Sequence, residues 1–291
     1  MILVYGNCQI GQLFTLLLHS ESFRKKYNIN NVPKESLVFA NIFTDSFYRI
    51  LNYDVIKKKK NIINIFDKKY DLVILQYTKS EHGIYSTDYI KNKLNCDNII
   101  ILPFVVNHGI FAISREGNLE NQMYKSNNKT LELLNGEMGS QEIIDLFYKY
   151  DLKTVLRMLK NLEINFNIQN RFNKCIKILQ DKEKHCNYTV SDIIINNKSR
   201  LCDQNVHITE YLIQLIANKI LKNLQLEPIN IYNANYKQTV KYDFLLKFQL
   251  TPPVPLSPYE IKFLNMDEES DENWLEYYNK KITEIYNGFI N

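Results

Sequence analysis

The chain has 291 residues, of which 45% are hydrophobic, enough for one large globular unit or two closely packed ones. Its formal net charge is only +4, and the charges are too scattered to indicate a nucleic-acid-binding protein. No segment reaches the roughly 18 consecutive apolar residues that a membrane-spanning helix needs, and no signal-peptide pattern opens the sequence. We therefore expect a cytoplasmic protein that neither spans a membrane nor binds nucleic acid.

Short apolar segments alternate with helical patterns in the first part of the chain. Residues 1–5 form a continuous apolar run typical of a buried parallel strand, and apolar residues after Gln9 recur with the spacing of one helix face. Residues 37–42, 71–77 and 98–105 predict further strands. Strands separated by helical stretches predict an α/β fold, with a parallel sheet covered by helices on both faces.

The pattern becomes mostly helical after residue 118. The predicted helices span residues 141–162, 170–184, 208–224 and 274–286. The proline-rich segment 251–258 predicts neither a regular helix nor a central strand. Because no repeat or low-complexity linker divides the chain, we expect a single domain over residues 1–291, with an α/β subdomain at 1–118 and a mostly helical part at 119–291.

The cysteines are odd in number and form no C-x-x-C pair. They are Cys8, Cys96, Cys175, Cys186 and Cys202. A disulfide framework or a zinc site is therefore not expected, and we predict no metal. The pattern favours a reducing compartment.

Cys8 lies between the first predicted strand and the first predicted helix, in the stretch Gly6-Asn7-Cys8-Gln9. Ligands of open α/β sheets bind beyond the carboxyl ends of the strands. The N–H groups and the dipole at a helix N-terminus stabilise a thiolate, and the same N–H groups can hold a developing oxyanion. Cys8 is therefore a candidate nucleophile. The alternative is an inert core thiol, since free cysteine is among the most buried residue types.

Three histidines are candidates for the base that a nucleophile needs. His82 and His108 follow predicted strands and belong to the rim of the sheet, whereas His207 precedes a helix that Thr209 is expected to cap. A helix N-terminus lowers the pKa of a nearby histidine and keeps it neutral, as a general base requires. From local sequence, a capped loop histidine without a catalytic role is an equal alternative for His207.

The other two histidines are expected to lie outside any site. His19 falls late in the first predicted helix and is expected to be structural. His185 stands in a stretch rich in lysine and is expected to be exposed.

Three common frameworks are absent from the sequence. The stretch Gly-Asn-Cys-Gln-Ile-Gly at residues 6–11 lacks the glycine spacing of a dinucleotide fingerprint, and no Walker A lysine follows it. The Gly-x-Ser-x-Gly nucleophile elbow does not occur either.

Taken together, these stretches resemble the WcbI-like family of polysaccharide-biosynthesis acetyltransferases. The resemblance rests on Gly-Asn-Cys-Gln after the first strand, on the strand at 71–76 with Tyr-Ser-Thr at 85–87, on Pro-Phe-Val-Val-Asn-His-Gly at 103–109, and on Arg-Leu-Cys-Asp-Gln-Asn-Val-His at 200–207. In the last stretch the family usually reads Asn-His-Pro. Here Val206 separates the asparagine from the histidine, and Ile208 replaces the proline.

The resemblance spans nearly the whole chain and implies a small SGNH-like parallel-sheet α/β subdomain embedded in a predominantly helical body. It implies a coenzyme A-dependent acetyltransferase that modifies a sugar hydroxyl of a capsule or related surface glycan. The expected partners are acetyl-CoA, as co-substrate, and a sugar or glycan acceptor. Two alternatives stay open: a thiol-dependent SGNH-like esterase or deacetylase, and a non-catalytic protein that binds coenzyme A or a glycan.

The resemblance also implies a Cys–His centre. Cys8 matches the family's cysteine and His207 its late histidine, while Asp203 and Asn205 are the nearest residues that could orient the histidine. The residues expected to bind coenzyme A are Gly6, Asn7, Gln9, Gln76, Tyr77, His82, Tyr85 and His108. Both a covalent acetyl-cysteine route and direct transfer to the sugar are compatible with this centre.

Overall fold

The computed structural model describes residues 2–6, 8–29, 47–51, 66, 69–94, 96–105, 113–115, 137–138, 140–197, 199, 201–202, 208–232, 254–267 and 269–290. These residues fall into two compact units. The described residues of the first come from Met1–Val105, Ile178–Asn197 and Ile208–Leu250, and those of the second from Val106–Lys177, Lys198–His207 and Thr251–Asn291. The boundary that the sequence predicts after residue 118 stays a prediction, since residues 116–136 lie outside the described part.

A four-stranded parallel sheet forms the centre of the first unit among the described residues. Its strands are β1 (Ile2–Gly6), β2 (Phe47–Leu51), β3 (Leu72–Gln76) and β4 (Ile99–Leu102). They lie in the order β2-β1-β3-β4, and every pair is parallel. The predicted α/β class is therefore confirmed. In the second unit, two short strands, β5 (Ser114–Arg115) and β6 (Glu137–Met138), pair antiparallel.

The strand predicted at residues 37–42 lies outside the described residues. β2 was not predicted, because Arg49 interrupts its short apolar run and hides the pattern of a buried strand. The other three strands lie where the continuous apolar runs place them.

The helices account for most of the remaining described residues. They are α1 (Cys8–His19), α2 (Glu21–Lys26), α3 (Thr87–Lys93), α4 (Ser140–Phe147), α5 (Leu152–Lys160), α6 (Ile168–Glu183), α7 (Ser191–Asn196), α8 (Glu210–Asn223), α9 (Pro258–Leu264) and α10 (Trp274–Ile290). A 3-10 helix, Ser80–Tyr85, precedes α3.

The two faces of the sheet are buried under different helices. On one face, alternate residues of β1 and β3 form a cluster with Ile90 and Leu94, which come from α3 and its C-terminal end. On the other side α1 contacts β1 and β3, and α8 packs on α1. Every residue of β3 is buried. Since burial of one large aliphatic side chain contributes about 1.5–3 kcal/mol, this double cover is the main source of the sheet's stability.

Asn187 completes the outer edge of β4. Its backbone N–H donates to the carbonyl of Ile101 at 3.2 Å, while its side-chain oxygen accepts from the Ile101 N–H at 2.6 Å. Its side-chain nitrogen donates to the carbonyl of Ile99 at 2.5 Å. One residue thus pairs with both backbone groups of Ile101 and with the carbonyl of Ile99.

The single helix predicted over residues 141–162 is wrong, because the segment forms α4 and α5. Asp151 has extended backbone dihedrals and accepts a hydrogen bond from the Thr154 N–H at 2.8 Å, so it begins a new helix. Val155 and Leu159 of α5 continue the apolar spacing into the same core. That continuity made the two helices resemble one.

One predicted helix start agrees with the structure, and the start of α9 was not predicted. Thr209 caps α8, as predicted, because its hydroxyl accepts from the Leu212 N–H at 3.2 Å. The proline-rich segment is irregular from Val254 to Ser257, as predicted, but Pro258 begins α9. Proline is tolerated at that first helical position because the N–H it lacks has no partner within the helix.

A buried carboxylate holds α9 to α10 in the second unit. Glu260 is fully buried and accepts from the Tyr278 hydroxyl at 2.7 Å, from the Ser257 N–H at 2.8 Å and from the Ser257 hydroxyl. Burial, reinforced by this carboxylate, raises the pKa of Tyr278 far above its ordinary value. The tyrosine therefore stays a hydrogen-bond donor at any physiological pH.

Removing this hydroxyl tests its contribution. Tyr278→Phe keeps the buried ring but takes one donor from a buried carboxylate, and such bonds contribute about 1.5–3 kcal/mol. We expect the free energy of unfolding, measured by urea denaturation, to fall by about that amount. Tyr286→Phe on the same helix, whose ring packs on Phe147, is the control and should change it by less than about 0.5 kcal/mol. Equal losses in the two variants would contradict the role of the Glu260 bond.

Candidate functional site

The carboxyl ends of the four parallel strands lie along one edge of the sheet. After β1 the chain adds β2 on one side of it and then β3 on the other, so the connections diverge between β1 and β3. In open α/β sheets, ligands bind beyond the carboxyl ends at such a switch point. Gly6 ends β1 and Gln76 ends β3, so these two residues mark the place.

Gly6 allows β1 to approach Gln76 closely. A Cβ added at Gly6 would lie 2.7 Å from the Cβ of Gln76 and 2.8 Å from Cγ1 of Ile10, distances that real side chains do not adopt. Any larger residue would push apart β3 and the start of α1. The glycine is therefore required by packing at the switch point.

Cys8 is the first residue of α1, as the sequence predicts. The first turn of this helix carries no acidic side chain, so no carboxylate of the helix itself offsets the positive end of its dipole. An anion at this helix start is stabilised, whether it is a thiolate or an oxyanion.

Gln9 holds the start of α1 to the segment that follows β4. Its side chain is only 5% exposed. Its amide nitrogen donates to the Val105 carbonyl at 2.7 Å, and its amide oxygen accepts from the Val105 N–H at 3.1 Å. The side chain thus positions Cys8 relative to the sheet edge. The Gln9 backbone N–H belongs to the helix N-terminus.

The loop after β3 is tied back to the strand by Thr87. Its hydroxyl accepts from the Thr78 N–H at 2.7 Å and donates to the Gln76 carbonyl at 3.3 Å, and its N–H donates to the Thr78 carbonyl at 3.1 Å. Two residues expected to bind coenzyme A, His82 and Tyr85, fall in the 3-10 helix that this loop contains. The strand-end glutamine and the Tyr-Ser-Thr motif are therefore parts of one local structure.

Gly83 bends the 3-10 helix. Its φ of 58° and ψ of −123° form a conformation that residues with side chains rarely adopt, and its carbonyl accepts from the Ser86 N–H at 2.9 Å. Ser86 then caps α3. This bend returns the chain from the rim of the sheet to the covering helix.

A cluster of aromatic and basic side chains lies at the same edge. Tyr77, directly after β3, stacks on His185 with ring centroids 4.9 Å apart and planes 4° from parallel. Nζ of Lys182, near the end of α6, lies 3.5 Å from the Phe104 carbonyl oxygen and 5.5 Å from the Phe104 ring centroid. We call Tyr77, Phe104, Lys182 and His185 the edge cluster.

Sequence reasoning singled out only Tyr77 in the edge cluster. His185 was correctly expected to be exposed but was assigned no role, and Lys182 and Phe104 were not considered as site residues. The sequence did contain a signal for this cluster, because Lys182 and His185 are three positions apart at the end of a predicted helix and so can lie on the same side of the chain.

The four described cysteine side chains are poor nucleophiles. Burial and the Glu183 carboxylate raise the pKa of Cys186 to about 12, and burial raises the pKa of Cys96. Cys175 and Cys202 are buried.

Five of the predicted site residues lie outside the described part of the chain. They are Asn7, His108, Asp203, Asn205 and His207. The structure brings together Gly6, Gln9, Gln76 and Tyr77 with the start of α1, and the pairing of Cys8 with His207 stays a prediction.

Among the residues with described positions, no group of three His, Cys, Asp or Glu is arranged to hold a metal ion, and no helix is long and apolar enough to cross a membrane.

Two cavities of the first unit are weaker candidates for a ligand-binding site than the carboxyl edge of the sheet. Apolar side chains of α1 and α8 line a cavity beside Gln9 and Val105 that has room for about one water molecule. A larger cavity of about 390 Å³ opens where β3 and β4 begin, at the opposite edge of the sheet. The switch-point rule favours the carboxyl edge.

Comparison with known proteins found a solved structure of similar fold. A solved structure of WcbI, described as a polysaccharide biosynthesis enzyme, matches 99% of this chain and 89% of its own chain with a TM-score of 0.61. The chain has the fold of WcbI. Sequence identity to WcbI is 16%, so the likeness establishes the fold alone. That WcbI structure is described as the native protein without a disulfide bond between coenzyme A and a cysteine. No family profile and no curated protein matches the sequence.

Replacing Gln9 tests whether it positions α1. Gln9→Met has a similar length but removes both bonds to the buried backbone of Val105, and each unsatisfied buried group costs about 1–3 kcal/mol. We expect the free energy of urea-induced unfolding to fall by at least the lower of these values. Gln12→Met, a half-buried change on the same helix, is the control and should have little effect. If Gln9→Met is as stable as the control, the two hydrogen bonds between Gln9 and Val105 are not needed to hold α1 in place.

Proposed function

We propose that the protein is a coenzyme A-dependent acyltransferase that moves an acetyl group from acetyl-CoA to a sugar hydroxyl of a surface or capsular glycan. The observation that carries the proposal is the place of Cys8, the first residue of a helix that opens at the switch point of a WcbI-like fold. WcbI itself is described as a polysaccharide biosynthesis enzyme, in a description that refers to a disulfide between coenzyme A and a cysteine. The motif around Cys8 supports the same assignment.

In the first step, the Cys8 thiolate attacks the thioester carbonyl carbon of acetyl-CoA. The new carbon–sulfur bond forms as the bond to the coenzyme A sulfur breaks, leaving an acetyl-cysteine and a coenzyme A thiolate. The negative charge that develops on the carbonyl oxygen needs donors. The backbone N–H groups of Cys8 and Gln9 and the side-chain amide of Gln76 are the proposed donors.

In the second step, the sugar hydroxyl attacks the acetyl-cysteine. His207 accepts the hydroxyl proton, the oxygen–acetyl bond forms, and Cys8 leaves as a thiolate. His207 then gives the proton to the coenzyme A thiolate, so acetyl-CoA and alcohol become ester and free coenzyme A. Asp203 or Asn205 orients His207. In direct transfer, His207 activates the hydroxyl and Cys8 only positions the thioester.

An acetyl-transfer assay on the purified protein tests this function. We expect acetyl-CoA to be consumed only when a sugar acceptor is present, and coenzyme A to raise the melting temperature, because it binds the folded state. Consumption without a sugar would indicate a thiol-dependent hydrolase. Coenzyme A binding without any turnover would indicate a non-catalytic binding protein, and absence of binding would refute the proposal.

Alkylation should single out Cys8. A helix N-terminus lowers the pKa of a thiol, so iodoacetamide should modify Cys8 first, with a rate that rises through a pKa below about 8.5. Cys186 should stay slow until the pH approaches its pKa of about 12, since only the thiolate reacts. Peptide mass spectrometry measures each site, and coenzyme A should protect Cys8. Uniform labelling that coenzyme A does not change would identify Cys8 as a core thiol.

Two histidine variants separate the candidate bases. Removing a general base costs about 10²–10⁴-fold in rate, so His207→Ala should keep coenzyme A binding but lose most acetyl transfer. His108→Ala should change substrate affinity more than turnover. If His108→Ala is inactive while His207→Ala is active, the base is His108. If both variants turn over at the wild-type rate, histidine-assisted transfer is wrong.

A further inference from the structure

The edge cluster has the composition of a nucleotide site. Tyr77 is half-buried and covers one face of His185, whereas His185 is exposed. A third ring can therefore continue the stack on the open side of the imidazole. Nucleic-acid bases stack on aromatic side chains in this way, because every base has a flat π face.

Lys182 supplies a positive charge beside this stack. The His185 N–H donates to the Lys182 carbonyl at 3.1 Å, so the two side chains leave neighbouring positions at the end of α6. The Lys182 ammonium is held over the Phe104 ring next to the Phe104 carbonyl. This arrangement places at the sheet edge an ammonium group, which is a cation of the kind that binds phosphate oxygens.

Carboxylates lie on both sides of the cluster. On the Lys182 side, Asp181 pairs with Lys184 at 2.6 Å, and Glu183 accepts hydrogen bonds from the Val190 and Ser191 N–H groups. Burial is the main cause that raises the pKa of Tyr77, and the nearby carboxylates of Asp88 and Glu81 raise it further. Lys79 lies 3.9 Å from Glu81 and offsets part of that charge. A phosphate is therefore favoured on the Lys182 side of the stack.

The cluster and the helix start lie on the same edge of the sheet. Tyr77 follows β3, its N–H donates to the Leu102 carbonyl of β4 at 2.8 Å, and Gly6 ends the neighbouring β1. Strands are about 4.8 Å apart, so the end of β4 lies about 10 Å from the end of β1 along this edge. One extended molecule can contact both places.

We propose that the edge cluster binds the adenine nucleotide end of coenzyme A, with the base stacked on His185 and a phosphate on Lys182. This inference rests on the proposed acyltransferase function. The pantetheine arm then runs along the carboxyl edge and presents the thioester to the start of α1. His185 and Lys182 are binding residues and take no part in acyl transfer.

Isothermal titration of His185→Ala with three probes tests the inference. The probes are coenzyme A, adenosine 3′,5′-bisphosphate and 4′-phosphopantetheine, which lacks the nucleoside. Loss of base stacking should weaken binding of the first two by about 5- to 100-fold and leave the third unchanged. Lys182→Gln should weaken the same two probes and reduce the salt dependence of binding. His19→Ala and Lys184→Gln are the matched controls and should bind all three probes as the wild type does.

The outcomes separate this inference from the proposed function. If the wild type binds coenzyme A and His185→Ala binds it equally well, the nucleotide site is wrong and the acyltransferase proposal stands. Equal weakening of 4′-phosphopantetheine would mean that the variant disturbs the fold of the edge, and would also overturn the inference. If the wild type binds no coenzyme A, both proposals fail.

Discussion

The structure of the first unit depends on one requirement, that buried backbone N–H and carbonyl groups find hydrogen-bond partners. Irregular segments of this unit meet it with side-chain amides. Gln9 pairs with both backbone groups of Val105, and Asn218 does the same for Ile229. Gln214 accepts from the N–H groups of Ile231 and Tyr232. These amides fix loops to helices without a further strand, and so allow a small sheet to support a long chain.

The same requirement explains how the start of α1, where Cys8 lies, is held in place. Gly6 brings β1 against Gln76, and Gln9 joins the first turn of α1 to Val105, three residues after the end of β4. The start of α1 is thus fixed to two neighbouring strands before any ligand arrives. Catalytic groups must be held in place by the fold, because reorganisation during the reaction would raise the barrier. A buried glutamine beside Cys8 is therefore as much a part of the proposed centre as the residues that react.

Local signals in the sequence predicted the features that depend on neighbouring residues. Continuous apolar runs located β1, β3 and β4, and the hydroxyl of Thr209 located the start of α8. Features that depend on distant residues were not predictable in the same way. The stack of Tyr77 on His185 joins residues more than a hundred positions apart. The mixed composition of β2 does not indicate a strand by itself, and the segment is recognised as one only from its pairing with β1. The likeness of the fold to WcbI could be expected from the motif spacing, whereas the edge cluster required coordinates.

Asn187 gives the sheet a definite end. The outer backbone groups of a terminal strand are a template on which a second chain can add itself, and natural proteins cover or disrupt such edges. Here one asparagine pairs with the carbonyl of Ile99 and with both backbone groups of Ile101. The match needs both a donor and an acceptor at the end of a short side chain, so neither aspartate nor leucine reproduces it. Among the described residues, a single surface amide therefore closes the β4 edge of the sheet to pairing with a second chain.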